Sequence, residues 1–121
     1  MKELAPTIVV PTQADAVVVN IASGQSLSAA VDCGYQRAVR VGIPAVWTAA
    51  NLTFQVSTDG NTFKDLYDAT GAEYMVTVAA NRAVILPLTD FAGIRFLKVR
   101  SGTAGAPVAQ AATAALDLII N

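Results

Sequence analysis

Histidine is missing from the chain altogether, and cysteine occurs once, as Cys33. The first absence removes the commonest general base and the commonest zinc ligand, and it leaves Cys33 without its usual catalytic partner. Cys33, followed by Gly34, therefore reads as a small semi-buried residue rather than a nucleophile. A lone thiol also excludes an internal disulfide framework and fits manufacture in a reducing cytoplasm. Charge is sparse too: 14% of the 121 residues, with eight Lys and Arg against nine Asp and Glu. With a formal net charge of −1 there is no basic field to attract phosphate backbones or anionic lipid, so nucleic acid and membrane are not expected as partners. No run approaches the ~20 apolar residues that a membrane helix needs, and the opening MKELAPTIVVPTQADAVVV lacks the apolar core of a signal peptide. The expectation is a soluble, unsecreted protein.

What the chain does contain is Ala and Val, which carry most of a 54% hydrophobic content that includes only one Trp, four Phe and three Tyr. Small and β-branched residues suit thin, closely apposed sheets. The length is enough for one domain burying about 65% of its unfolded surface. Charge this scarce fits a surface that meets other protein, or an assembly in which solubility is shared.

The most legible stretch is LTFQVSTDGNTFKDLYD, residues 52–68. Leu52, Phe54 and Val56 alternate with Thr53, Gln55 and Ser57, the period of a strand with one buried face. Asp59-Gly60 then supplies residues that tolerate positive φ, and a second run follows at once, which predicts a hairpin. Two registers are open. A two- or four-residue loop sets Val56 opposite Phe63 and Leu52 opposite Tyr67, with Asp65 facing Phe54 on the core side. A three-residue loop with a glycine bulge sets Leu66 opposite Phe54 and turns Phe63 and Tyr67 outward. The first is favoured because it buries two rings for one carboxylate.

Residues 1–13, with Pro6 and Pro11 around a short apolar run, read as an extended arm or an edge strand, and residues 14–121 as one domain. Further strands are expected over residues 15–22, 26–31, 37–43, 74–79, 83–88 and 94–100 and at the C-terminus from Leu116, with Arg40 pointing to solvent or a partner. The near-continuous apolar run 83–88 predicts a strand covered on both faces, one cover being another subunit. Residues 101–115, rich in Ala and Gly, predict a long loop that reaches outward, or a short helical turn within 109–115. About eight short strands without an amphipathic helix predict an all-β antiparallel sandwich of jelly-roll type.

Candidate sites are few. Asp59, Asn61, Asp65 and Asp68 cluster near the hairpin loop with oxygen ligands suited to Ca²⁺, but the loop lacks the length and closing Glu of a calcium loop, and solvated acids beside an Asp-Gly turn are the simpler reading. Arg37, Arg40, Arg82, Arg95, Lys98 and Arg100 would form a basic face only if their strands were neighbours; scattered charge and ion pairs are the simpler account. Trp47 reads as a plug in the core. No phosphate-cradling loop, nucleophile elbow or paired carboxylates appear, so no catalytic, cofactor-binding or metal-binding residue is assigned and the chain is not expected to be an enzyme.

Two stretches, LTFQVSTDGNTFKDLYD and FAGIRFLKVRSGTAGAPVAQAATAALDLII, resemble small β-rich virion proteins of tailed bacteriophages, in which a Ser-x-Asp-Gly turn and an aromatic precede a late Lys-x-Arg-Ser-Gly segment and a terminal strand. The turn Ser57-Thr58-Asp59-Gly60 followed by Phe63 also resembles discoidin or galactose-binding sandwiches. The resemblance implies a non-enzymatic virion component, a capsid decoration protein or head-fibre base, made in the bacterial host cytoplasm. Its implied partners are itself, as a homo-oligomer, and other virion proteins such as the major capsid protein. The alternative is a carbohydrate-binding module or tail component holding host-surface glycan on Trp47, Tyr35, Phe63, Tyr67 or Tyr74.

Overall fold

The computed structural model describes residues 15–121, so the arm expected over 1–13 lies outside the described residues. Among these, eight strands form two antiparallel four-stranded sheets and no helix forms. The strands are β1 (Asp15–Ile21), β2 (Val31–Asp32), β3 (Ala38–Gly42), β4 (Leu52–Ser57), β5 (Lys64–Asp65), β6 (Ala83–Ile85), β7 (Phe96–Ser101) and β8 (Ala114–Ile120). The first sheet runs β1-β8-β3-β6 and the second β2-β7-β4-β5. Each strand of the first half thus pairs with its mirror in the second: β1 with β8, β2 with β7, β3 with β6 and β4 with β5. The hairpin at the middle of the sequence is the one place where this wrapping is local.

Alternation decides what goes inside. In β8, Leu116, Leu118 and Ile120 are buried while Ala115 and Asp117 are exposed. From the facing sheet Leu52, Phe54, Leu97 and Val99 complete the core, each at most 1% exposed. Between the sheets Phe54, Tyr74 and Phe91 make an aromatic cluster, with the Phe54 and Phe91 centroids 5.2 Å apart in an edge-to-face arrangement. Trp47 is half-buried against this core, as the sequence predicts, and its Nε1 donates to the Ala50 carbonyl.

Several expectations are corrected. The hairpin adopts the second register: Gln55 faces Asp65 and Val56 faces Lys64, so Leu66 lies opposite Phe54 and packs on the core. The favoured register set two buried rings against one carboxylate on the core side, whereas that carboxylate turns to the outer face and pairs with Arg100. Residues 74–79 form no strand; only Val76 bridges Leu52, through two backbone bonds of 2.9 Å. The run 26–31 contributes a Leu27–Arg100 bridge and Val31 rather than a full strand. The run 83–88 shrinks to a three-residue edge strand whose Ile85 is 77% exposed, so within one chain it is covered on one face only. Residues 101–113 do not reach outward and hold no helical turn. They fold back onto the sandwich, with Val108 N donating to Ser101 O and Gln110 N to Gln25 O, and β8 starts at Ala114.

Candidate functional site

The two outer faces of the sandwich differ sharply in chemistry. On the β2-β7-β4-β5 sheet, β7 turns Phe96, Lys98 and Arg100 away from the core, as its alternation predicts, but Arg100 is buried. Its Nη1 lies 3.0 Å from Asp65 Oδ1, its Nη2 lies 2.9 Å from Glu73 Oε2, and its Nε donates to Thr53 Oγ1. Thr53 in turn donates to Gly102 O, and Glu73 accepts from Ala104 N. One guanidinium therefore ties β4, β5, the Glu73 segment and the 101–108 loop together. Lys98 stands 4.3 Å above the Phe63 ring. Charge on this face is already spent on the protein's own groups.

The outer face of the β1-β8-β3-β6 sheet is apolar and open. Strand register lines up one row of Ala16, Ile119, Arg40 and Ile85 and a second of Val18, Asp117, Gly42 and Ala83. Val18 and Ile85 are 59% and 77% exposed. Arg40 and Asp117 are the only charges in these rows, and neither forms an ion pair or side-chain hydrogen bond among the described residues. Arg40 thus points to solvent, as its place in the alternation predicts. The Asp117 side chain leans over Gly42, where a Cβ would come within 3.4 Å of it. The signal for this face in the sequence is the Arg40 and Asp117 parity within otherwise apolar strands.

The proposed calcium ligands do not converge. Asp59 Oδ1 accepts from Asn61 N, Thr62 N and Ser57 Oγ, which holds its pKa down to about 2. Asp68 is similarly lowered by Thr70 and by the Ala72 amide, and Asp65 belongs to Arg100. Asp59 and Asp68 each close their own turn, and Asp65 sits in a strand. The six cations spread over both sheets: Arg95 pairs with Asp32, Arg37 donates to Leu88 O, and Arg40 lies on the opposite sheet from Arg100. Cys33 is buried, and burial pushes its thiol pKa up, which makes it a poorer nucleophile.

Among the aromatic candidates, Tyr74 is committed to the core cluster and to Asp90 Oδ2 at 2.7 Å; burial first, and that carboxylate second, raise its pKa above the ordinary range. Tyr35 is fully exposed, and Tyr67 is 55% exposed beside a hollow of about 370 Å³ that Asp68, Tyr74 and Asp90 also line. A second hollow of about 280 Å³ lies by the hairpin loop between Val56, Asp59, Lys64 and Ile94. The class defined at this point is an all-β protein of two antiparallel sheets. No protein-family model, curated protein or solved structure matches the chain.

Proposed function

We propose that the protein is a non-enzymatic structural component of a tailed-phage virion, a capsid decoration protein or head-fibre base that works through protein contacts. The observation that carries this reading is the division of its surface: charges bound into the protein's own frame on one face, and open apolar strands on the other. Such a face is the kind that meets protein. The wrapping of each strand onto its mirror, β1 with β8 through β4 with β5, supports the jelly-roll topology, an architecture that includes capsid domains. The fold alone does not fix the role. The test is mass spectrometry of particles purified from the source host. The chain should appear at a fixed ratio to the major capsid protein through successive gradients; loss during purification would overturn the reading.

A second reading, a glycan-binding module, is favoured by one place only. Tyr67 offers an exposed ring beside two carboxylates, the composition of a sugar site. Glycan-array binding abolished by Tyr67→Ala, with the fold intact by circular dichroism, would establish it; an array blank for the wild-type chain would remove it.

A further inference from the structure

We infer that the outer face of the β1-β8-β3-β6 sheet docks a second copy of this chain, in a two-fold pair closed by two reciprocal ion pairs, Arg40 of each copy with Asp117 of the other. The inference deepens the assembly reading and rests on it only for its biological setting, because the pairing belongs to the chain itself.

Charge complementarity selects the occupant. The two central strands of this face carry one cation and one anion, on neighbouring strands and two residues out of step: Arg40 lies across from Ile119, and Asp117 across from Gly42. A separation of about 8 Å follows from ordinary strand spacing and rise. A two-fold axis in the plane of the interface, perpendicular to the line joining them and through its midpoint, exchanges their positions. Each Arg40 then arrives over the Asp117 of the other copy, and both pairs close together. The surroundings suit this. Ile85 and Ile119 flank Arg40, Val18 flanks Asp117, and Gly42 lets a long partner side chain approach Asp117 closely. A partner of uniform charge would satisfy one of the two groups and repel the other, whereas a second copy satisfies both.

Size sets the strength. Strands of seven, seven, five and three residues (β1, β8, β3 and β6) present about 350 Å², less than half of what each partner contributes to a standard interface. Pairing is therefore weak in solution, with dissociation on the order of 10–100 µM, and is consolidated where copies are held side by side.

Sedimentation velocity of the full chain across this concentration range tests the pairing. The wild type should pass from monomer to dimer. Arg40→Asp gives an all-acidic face and Asp117→Arg an all-basic one, so each variant alone should lose at least tenfold in association, while their equimolar mixture should recover wild-type association. Ile85→Lys should weaken pairing in a comparable way without reversing charge. All three substituted positions are solvent-facing in the single chain, and circular dichroism verifies the fold of each variant. A wild type that stays monomeric throughout overturns the pairing, as does association that ignores both charge reversals, or a mixture of folded variants that stays monomeric. The virion reading is judged separately: a monomer that co-purifies with particles leaves that reading standing, and a dimer absent from particles overturns it while supporting the pairing.

Discussion

Arg100 is the residue on which most of the second sheet's outer face depends. Its guanidinium is 7% exposed, and its partners Asp65 and Glu73 are 34% and 18% exposed. Truncating a buried ion-pair partner leaves desolvated charge behind, at a cost of about 3–5 kcal/mol when both carboxylates are dry. Asp65 retains water, so Arg100→Met should cost about 3 kcal/mol, read as a lower urea midpoint with an unchanged slope. Gly102 makes a second, purely steric demand. Its φ is +88°, and a Cβ there would lie 2.6 Å from Ala106 O and 2.7 Å from Val108 N. Gly102→Ala should therefore destabilise by more than about 2 kcal/mol, while Gly71→Ala, at the same φ but with open space around it, should cost only about 1 kcal/mol. Equal thermal shifts for the two variants would refute the steric account. Acid stability follows from Asp59, whose folded pKa of about 2 lies below its ordinary 3.8. A depressed folded pKa contributes stability that is present above the unfolded value and lost as pH falls through the folded one. Stability should thus decline between about pH 4 and pH 2, with Asp32 and Asp68 acting in the same sense. Asp59→Asn should flatten that decline in urea titrations taken at a series of pH values.

At the scale of elements, legibility in the sequence followed alternation. The longer strands β1, β4, β7 and β8 were readable because their core-facing residues recur at every second position, so Leu97 and Val99 or Leu116 and Leu118 declare themselves by spacing alone. What alternation cannot report is what waits on the outer face. The hairpin register turned on Arg100, 35 residues from Asp65, and no local pattern contains that fact. The same limit hid the role of residues 101–113. Small residues and glycines read as an outgoing loop, yet Gln110 is 1% exposed and its carboxamide both accepts from Thr48 N and donates to Thr48 O. This side chain takes the place of a neighbouring strand for the Trp47 connection, while Gln110 O accepts from Gly24 N. The apolar face was legible only in part: the run 83–88 pointed to a cover beyond the chain, but Arg40 and Asp117 became a pair of interest only through the β3–β8 register. Gln110→Leu should leave the half-buried Thr48 amide and carbonyl without their partner, at about 1 kcal/mol. Hydrogen exchange should then accelerate at Thr48 and Gly24 more than in the core of β4; a uniform change across the protein would mean that Gln110 is not a local clamp.

For the whole molecule the decisive feature is that the longest strands lie at opposite ends of the described chain and are hydrogen-bonded to each other, Asp15 opposite Ile120 through Ile21 opposite Ala114. β8 is also an inner strand, holding β1 on one side and β3 on the other, and it lines the core with Ala114, Leu116, Leu118 and Ile120. Closing such a pair requires ordering nearly a hundred intervening residues before its contacts repay the loss of chain entropy. Only β4 with β5 can form locally. Refolding followed through the single Trp47 should therefore be slow, with time constants from about ten milliseconds to seconds rather than microseconds. The same topology makes the C-terminal strand indispensable. A chain ending at residue 113 loses the element that joins β1 to β3 and exposes one wall of the core, so it should lack a cooperative unfolding transition in circular dichroism even if some sheet persists. Adding a synthetic peptide of residues 114–121 in trans should restore the transition, since the slot between β1 and β3 is defined by the backbone groups of both. If the truncated chain unfolds cooperatively on its own, the two halves of the mirror wrapping are energetically separable, and the slow closing of β1 on β8 would then govern only the first sheet.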